Sequence, residues 1–571
     1  MFVFRNLRWK RKHLHTIKKK KRTNNDYDKI APTYINHNNC GNNSSYFTDS
    51  ASMTQTMPSI TKDFSIKAVA PIPYTLYYGT FIHTPTLNNL DISFNTLVGV
   101  SSDGVIDYIY KEYNPLDHEG ESPIEFFQLR SSSSSKEIKF IDLSQDYTKF
   151  FFPGFIDTHI HASQFPNIGI GLDTPLLDWL NKYTFPLENR FCNDTADNGG
   201  NDALKKLEFA KQVYTRVIQR TLMNGTTCAS YFTTIDPETT NYFAELLLVL
   251  GQRGFVGKVC MDCNDPYPKY QESLDDCVNS MTKIVDHLEE VNPVHESLVK
   301  PIITPRFAPV CSREMLTYLG NLSKEKKLPI QTHISENKLE IELVAKLFPD
   351  CESYSQVYNK YNLLNQSTIL AHCIHLSPQE CQLIADKKCS VSHCPTSNTF
   401  ISSGEAPVRK YLYDYNINVS LGTDVSGGFD SSILHIIKHA ILVSHHLSMK
   451  PGVESEATDC KLSLTEGLYM STMGGAKAVG LQDQIGSFEK GKKFDCQLID
   501  LTSSRVVSTD VFPWQVPSNI DTADAKYDKM IDLLGKWVFS GDDRNCVGVW
   551  CNGRQVVDKR EAGDVKMNGM K

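Results

Sequence analysis

The sequence predicts an α/β protein in which a (β/α)8 barrel is inserted in a small β-sandwich built from both ends of the chain. Between residues 153 and 424, eight short apolar, β-rich runs alternate with amphipathic helical patterns, as βα units of a parallel sheet do. Six of the eight runs end in, or just before, a residue able to coordinate a metal or titrate, and barrels of this kind carry their chemistry at the C-terminal strand ends. A barrel built for stability alone would end its strands in small or apolar residues. The two ends of the chain carry strand–turn–strand patterns too small to hold a core alone, so they are expected to pack together.

Length and composition bound the function. A chain of 571 residues with 40% hydrophobic and 22% charged residues is an ordinary globular protein with a sizeable core. Residues 1–22 hold ten Lys or Arg and no acid, so the rest of the chain carries −17 against a whole-chain charge of −7. A body this acidic is not a general nucleic-acid binder. The 16 cysteines show no small-scaffold framework and read as free thiols in a reducing compartment, cytoplasmic by default. The lone CxxC, Cys260 to Cys263, reads as core packing. No run of about 18 apolar residues exists, so no membrane span is expected.

Taken in order, residues 1–66 form a basic, then Asn-, Ser- and Thr-rich extension, expected to be disordered. A solvated tail is the default, with nuclear or other targeting left open. Residues 67–149 hold short β patterns (AVAPIPYTLYYGTFIH, TLVGV, GVIDYIY, KFIDL), interrupted by a Ser-rich loop at 131–135, and make the N-terminal part of the sandwich. Residues 150–480 make the barrel. Residues 481–571 return to strand patterns (486–500 and 547–557) and complete the sandwich.

The eight barrel runs are 153–161, 225–232, 255–262, 298–307, 329–336, 368–373, 389–395 and 418–424, with amphipathic stretches such as Ala203 to Met223 and Gln271 to Leu288 between them. The first reads PGFIDTHIH. In a strand, residues i and i+2 share a face, so His159 and His161 offer two imidazoles on one side. His333 ends run five, His372 run six and Asp424 run eight. Three imidazoles and a carboxylate suit Zn²⁺ or Fe²⁺ with room for a water, whose pKa the metal lowers. Glu336 follows His333 by three residues and can carry a proton from water to substrate.

Run four ends Thr304, Pro305, Arg306, Phe307. A two-metal site in this architecture needs a bridging anion, often a carbamylated lysine there, and Arg306 cannot supply one. One metal per chain is therefore expected. A guanidinium donates a fork of hydrogen bonds to a carbonyl oxygen or ring nitrogen, a phenyl face stacks on a heterocycle, and Gln164 both donates and accepts. Gln164, Arg306 and Phe307 are thus the candidate substrate-binding residues. Cys373 and His375, beside His372, read as packing residues.

These motifs resemble the metal-dependent amidohydrolases: PGFIDTHIH (153–161), THISE (332–336), AHC (371–373), SHCPTSN (392–398) and LGTD (421–424). More narrowly, DTHIHASQ (157–164), LLDWLNKYTFPLE (176–188), NGTTCASYF (224–232), TPRFAP (304–309), TDVSGG (423–428) and FSGDDRN (539–545) resemble the guanine deaminase family. The likeness covers roughly residues 70–560 and implies hydrolysis of guanine to xanthine and ammonia in purine salvage or catabolism. It implies one Zn²⁺ held by His159, His161, His333 and Asp424. His372 would be a neighbour hydrogen-bonding the water or intermediate. Glu336 would protonate ring N3 as hydroxide attacks C2, and with Asp424 would move the proton that lets ammonia leave. Gln164, Arg306 and Phe307 would hold the purine, and the family is commonly homodimeric.

Three alternatives stand beside this reading. Another amidohydrolase, acting on an s-triazine, cytosine or a modified adenosine, would share the metal site but not the purine-reading set. A catalytically inactive scaffold would have no physical reason to keep four ligands and a proton carrier. A nucleic-acid binder would need more than the charge run at the N-terminus. The other zinc deaminase class carries PCxxC, which is absent here.

Overall fold

The computed structural model describes residues 72–567 except 119, 132–136, 172, 193–200, 293–297, 451–459, 503–508 and 561–565. The N-terminal extension expected over 1–66 lies outside the described residues, as does most of the Ser-rich run.

The chain opens with the hairpin β1 (Tyr74–Thr86) and β2 (Asn89–Val100), followed by β3 (Ile106–Tyr110), β4 (Ile138–Asp142) and β5 (Lys149–Pro153). The barrel strands follow as β6 (Phe155–His161), β7 (Thr226–Phe232), β8 (Arg253–Gly257) and β9 (Val259–Cys260), then β10 (Val299–Pro301) and β11 (Thr304–Pro305). They continue with β12 (Ile330–Ile334), β13 (Thr368–His372), β14 (Ser390–His393) and β15 (Asn418–Leu421). The C-terminal strands are β16 (Cys496–Asp500), β17 (Cys546–Cys551), β18 (Arg554–Asp558) and β19 (Lys566–Met567).

The two ends of the chain are stitched together. β16 pairs antiparallel with β5, from Cys496 opposite Pro153 to Asp500 opposite Lys149, and makes one mixed sheet of nine strands. Its buried face is aromatic: Tyr77 stacks on Phe494 at 4.6 Å between ring centroids and Phe81 on Phe151 at 4.7 Å, with Trp550 edge-on to Tyr77. Each such pair adds about 0.5–1.5 kcal/mol beyond area burial.

Each of the eight expected barrel runs carries a strand. β6 to β8 and β10 pair in parallel, β9 pairs β11, and β12 to β15 pair in parallel. A parallel bridge between Ile303 and Ile330 joins the two sets. Beyond β15, the amide of Asp424 donates to the His159 carbonyl (2.8 Å) and that of His161 to the Val425 carbonyl (3.2 Å). The result is a TIM-barrel-like α/β arrangement. β6, β7 and β13 are buried along their whole length, which is why they read as continuous apolar runs rather than alternating ones. Gly422 lets the last strand approach the first, since a Cβ there would lie 2.7 Å from the Cβ of His159.

Local signals set the helices. Asp236 caps Pro237–Leu250 by accepting from the Thr239 amide, Pro237 needs no partner in the first turn, and Gly251 ends it at φ +78°. Ser273 caps Leu274–Val291 in the same way. A further helix, Ala523–Ser540, has no counterpart in the sequence reading. It drives Trp537 against Phe155, stacked at 5.9 Å, and Phe152 at 5.2 Å, directly beneath the first barrel strand. Among the described residues every cysteine is free, and no helix is long and apolar enough to cross a membrane.

Candidate active site

His159 and His161 leave β6 on one face, as the i, i+2 spacing requires. His333 sits near the end of β12, His372 is the last residue of β13, and Asp424 lies just past β15. One ligand atom from each of His159, His161, His333 and Asp424 lies within 4.8 Å of all the others. The pairwise distances are telling. His161 Nε2 lies 3.2 Å from His333 Nε2, and Asp424 Oδ1 lies 3.2 Å from His159 Nε2 and 3.3 Å from His161 Nε2. Tetrahedral ligands about 2.0–2.2 Å from a zinc ion stand roughly 3.3 Å apart.

Protonation fits the same conclusion. His333 Nδ1 donates to the Arg306 carbonyl at 2.6 Å, so its Nε2 presents a lone pair. His159 Nε2 has no hydrogen-bond partner although it is buried. Burial pushes the His159 imidazole down to about 4 despite the Asp424 carboxylate beside it, and burial with three neighbouring imidazoles holds His333 well below its ordinary value. Asp424 moves the other way: burial opposes its charge, but the imidazoles of His159 and His161 beside it outweigh that and keep the carboxyl well below the usual range. Neutral imidazoles converging with a carboxylate could hold a metal cation.

The backbone around the cluster is strained. Ser335, His372, Cys373 and Asp424 all have left-handed backbones, with φ of 51°, 71°, 51° and 47°. Each costs on the order of 1–3 kcal/mol, and surrounding bonds hold them. Asp157, which the sequence reading passed over inside DTHIH, accepts from the Thr423 hydroxyl (2.5 Å) and amide (3.1 Å) and so fixes the turn carrying Asp424. Burial pushes its carboxyl up to about 7. Phe232, at the end of β7, wedges between the rings of His159 (4.8 Å) and His161 (4.6 Å).

Glu336 and His372 face each other beside the cluster, with His372 Nε2 lying 3.4 Å from Glu336 Oε2 and 3.8 Å from Asp424 Oδ2. His372 Nδ1 pairs with Asn398 Oδ1 at 2.8 Å, which leaves Nε2 as the acceptor. Burial, then the charges of Asp424 and Glu340, hold the Glu336 carboxyl well above its ordinary value, the direction that suits a group exchanging a proton.

A cavity opens over this group. Eight of the nine predicted site residues line it; His159 lies beneath. Gln164, Arg306 and Phe307 form one wall, and Leu176, Trp179, Leu180 and Ile401 make an apolar cover. Except for Ile401, the cover sits on the segment 176–188, which passes through a π turn at Leu180–Thr184; Pro186 has no N–H to close a regular turn. Neither Cys373 nor His375 lines the cavity, and His375 Nε2 pairs with the Ser403 carbonyl at 2.8 Å.

Behind the wall sits Glu188, a residue the sequence reading left without a role. Arg306 donates to it twice, at 2.6 and 3.3 Å, and Gln164 Nε2 once, at 2.9 Å. Glu188 is fully buried and Arg306 nearly so. A second grouping of possible ligands, Cys260, Glu272 and Cys277, is already engaged by the Lys258 ammonium, which donates to both Glu272 oxygens at 2.5 and 2.6 Å.

The amidohydrolase family model matches residues 150–556, the whole span that carries this site. The chain belongs to the amidohydrolase family. Among its relatives in the family is a probable guanine deaminase of Schizosaccharomyces pombe, 43% identical over 84% of this chain and 83% of its own length. The guanine deaminase of Homo sapiens is 38% identical over 84% of this chain and 96% of its own. Among solved structures, guanine deaminase from C. acetobutylicum with bound guanine in the active site superposes with a TM-score of 0.69 at 33% identity, covering 84% of this chain and 99% of that one. This amidohydrolase therefore has the fold, the strand-end cluster and the cavity of a hydrolase acting on carbon–nitrogen bonds.

Proposed function

We propose that this amidohydrolase hydrolyses guanine to xanthine and ammonia, in purine salvage or catabolism. The observation that carries the proposal is one cavity lined by two unlike sets of residues: His161, His333, Asp424, Glu336 and His372 in one, and Arg306, Gln164 and Phe307 in the other. The relatives with guanine deaminase names support the choice of base.

The resident metal we assign is one Zn²⁺ per chain, held by His159, His161, His333 and Asp424; when bound it supplies an acidified water and a Lewis acid. The chain's own residues do the rest. Phe307 and the apolar cover stack on the ring and exclude water, which strengthens every polar contact inside. The N–H groups of Arg306 not spent on Glu188 donate to the ring carbonyl. Glu336 takes the proton that the attacking water loses and gives it to ring N3 as the C2–O bond forms. His372 Nε2 accepts a hydrogen bond from the oxygen added at C2. Glu336 and Asp424 then move that oxygen's proton to the amino group, and the C2–N bond breaks to release ammonia.

We extend the same reading to architecture and assembly: a closed (β/α)8 barrel carrying a two-ended β-sandwich, in a cytoplasmic homodimer without nucleic-acid or membrane partners. The test of function is ammonia release from guanine, adenine, cytosine and an s-triazine offered side by side. Turnover of guanine above the others is expected. Turnover of an s-triazine or cytosine in its place would overturn the assignment.

A further inference from the structure

Arg306 is a cation buried in a pocket for a neutral base, which would be costly if left uncompensated. Its compensation is Glu188. The pair is bidentate, at 2.6 and 3.3 Å, and both side chains are shut away from solvent. The guanidinium lies 5.2 Å over the ring of Phe185, three residues before Glu188 on the same segment, so its plane is fixed from two directions. The same Glu188 oxygen that takes the longer Arg306 bond accepts from Gln164 Nε2, while Gln164 Oε1 lies 3.4 Å from the Ser426 amide. One carboxylate thus sets the charge and orientation of both polar purine-reading side chains without itself lining the cavity.

We propose that Glu188 is a positioning residue that cancels the charge of Arg306 and aims it with Gln164, so that the pocket holds an uncharged oxopurine and releases its more acidic product. The inference rests on the guanine reading above. The chemistry of the product gives it force. Replacing the amino group with a second ring carbonyl makes the product a stronger N–H acid than the substrate, so a fraction of it is anionic near neutral pH. A pocket with an unpaired buried guanidinium would retain that anion. With the Glu188 carboxylate in place, the reading wall has no net charge to offer it.

The test is direct calorimetric binding of xanthine to the zinc-loaded protein, below and above neutral pH, for wild type, Glu188→Gln, Arg306→Gln and the double variant. Wild-type affinity should not rise as the product ionises. In Glu188→Gln it should rise by about tenfold or more, with a raised KM for guanine and unchanged zinc content. Arg306→Gln leaves the carboxylate unpaired, so its affinity should fall more steeply with pH than wild type; the double variant should return to the wild-type trend. If Glu188→Gln does not fold, the comparison of Arg306→Gln with the double variant decides alone. Parallel pH trends in all folded variants would overturn the proposal. Wild-type protein that binds xanthine but does not turn over guanine would instead overturn the functional reading beneath it.

Discussion

The backbone carbonyl of Arg306 accepts the Nδ1–H of His333 at 2.6 Å, so the residue whose side chain lines the cavity also orients one of the clustered imidazoles through its main chain. The two duties are separable because one belongs to the side chain and the other does not.

Arg306→Ala should therefore raise KM for guanine by roughly 10–100-fold, the loss of one or two charged hydrogen bonds, while zinc content stays at the wild-type level. Steady-state kinetics and metal analysis on the same preparation check this. Loss of metal would mean that the side chain, not the carbonyl, holds His333.

Glu336→Gln keeps the shape of the side chain but has no acidic proton to give. It should retain zinc and bind guanine, with kcat lower by about 10²–10⁴. Near-normal turnover in this variant would remove Glu336 from the proton path.

The part of this site legible in the sequence is the part built from local pattern. His159 and His161 share a face because strands have a period of two, and His333, His372 and Asp424 stand out because each ends an apolar run. What was not legible depends on distance in space. Glu188 lies 118 positions from Arg306, and nothing in LLDWLNKYTFPLE marks its carboxylate as the counter-charge. Asp157 looked like part of the strand because its partner, Thr423, is 266 residues away. The fold divides along the same line. The barrel strands are continuous apolar runs, whereas Ala523–Ser540 escaped notice because its buried stripe is narrow and its partners, Phe152 and Phe155, belong to the other end of the chain.

That helix supports the site from below. Trp537 is buried against Phe150, Phe152 and Phe155, the last of which opens the strand that carries His159 and His161. Trp537→Ala should cost about 3–5 kcal/mol of stability, read as a lower urea midpoint, with KM for guanine little changed in the protein that remains folded.

His435 pairs with the Asp430 carboxylate, and that bond, against partial burial, raises its pKa. The stabilisation is fully present below the unfolded-state value of about 6.5 and is lost as pH rises through the folded-state value. His435→Gln should accordingly be less stable than wild type by about 0.5–1 kcal/mol at acidic pH, and the difference should vanish in alkali. Urea denaturation at the two extremes checks the sign; a gap that widens with pH would contradict it.

The most direct test of the account is to strip the protein of metal and titrate zinc back while following ammonia release from guanine. Activity should climb linearly and break at one zinc per chain, with His159→Ala or Asp424→Ala abolishing both the binding and the rise. Full guanine turnover by the stripped protein, or a break at two zinc ions per chain, would contradict the single His–Asp metal centre on which the mechanism rests.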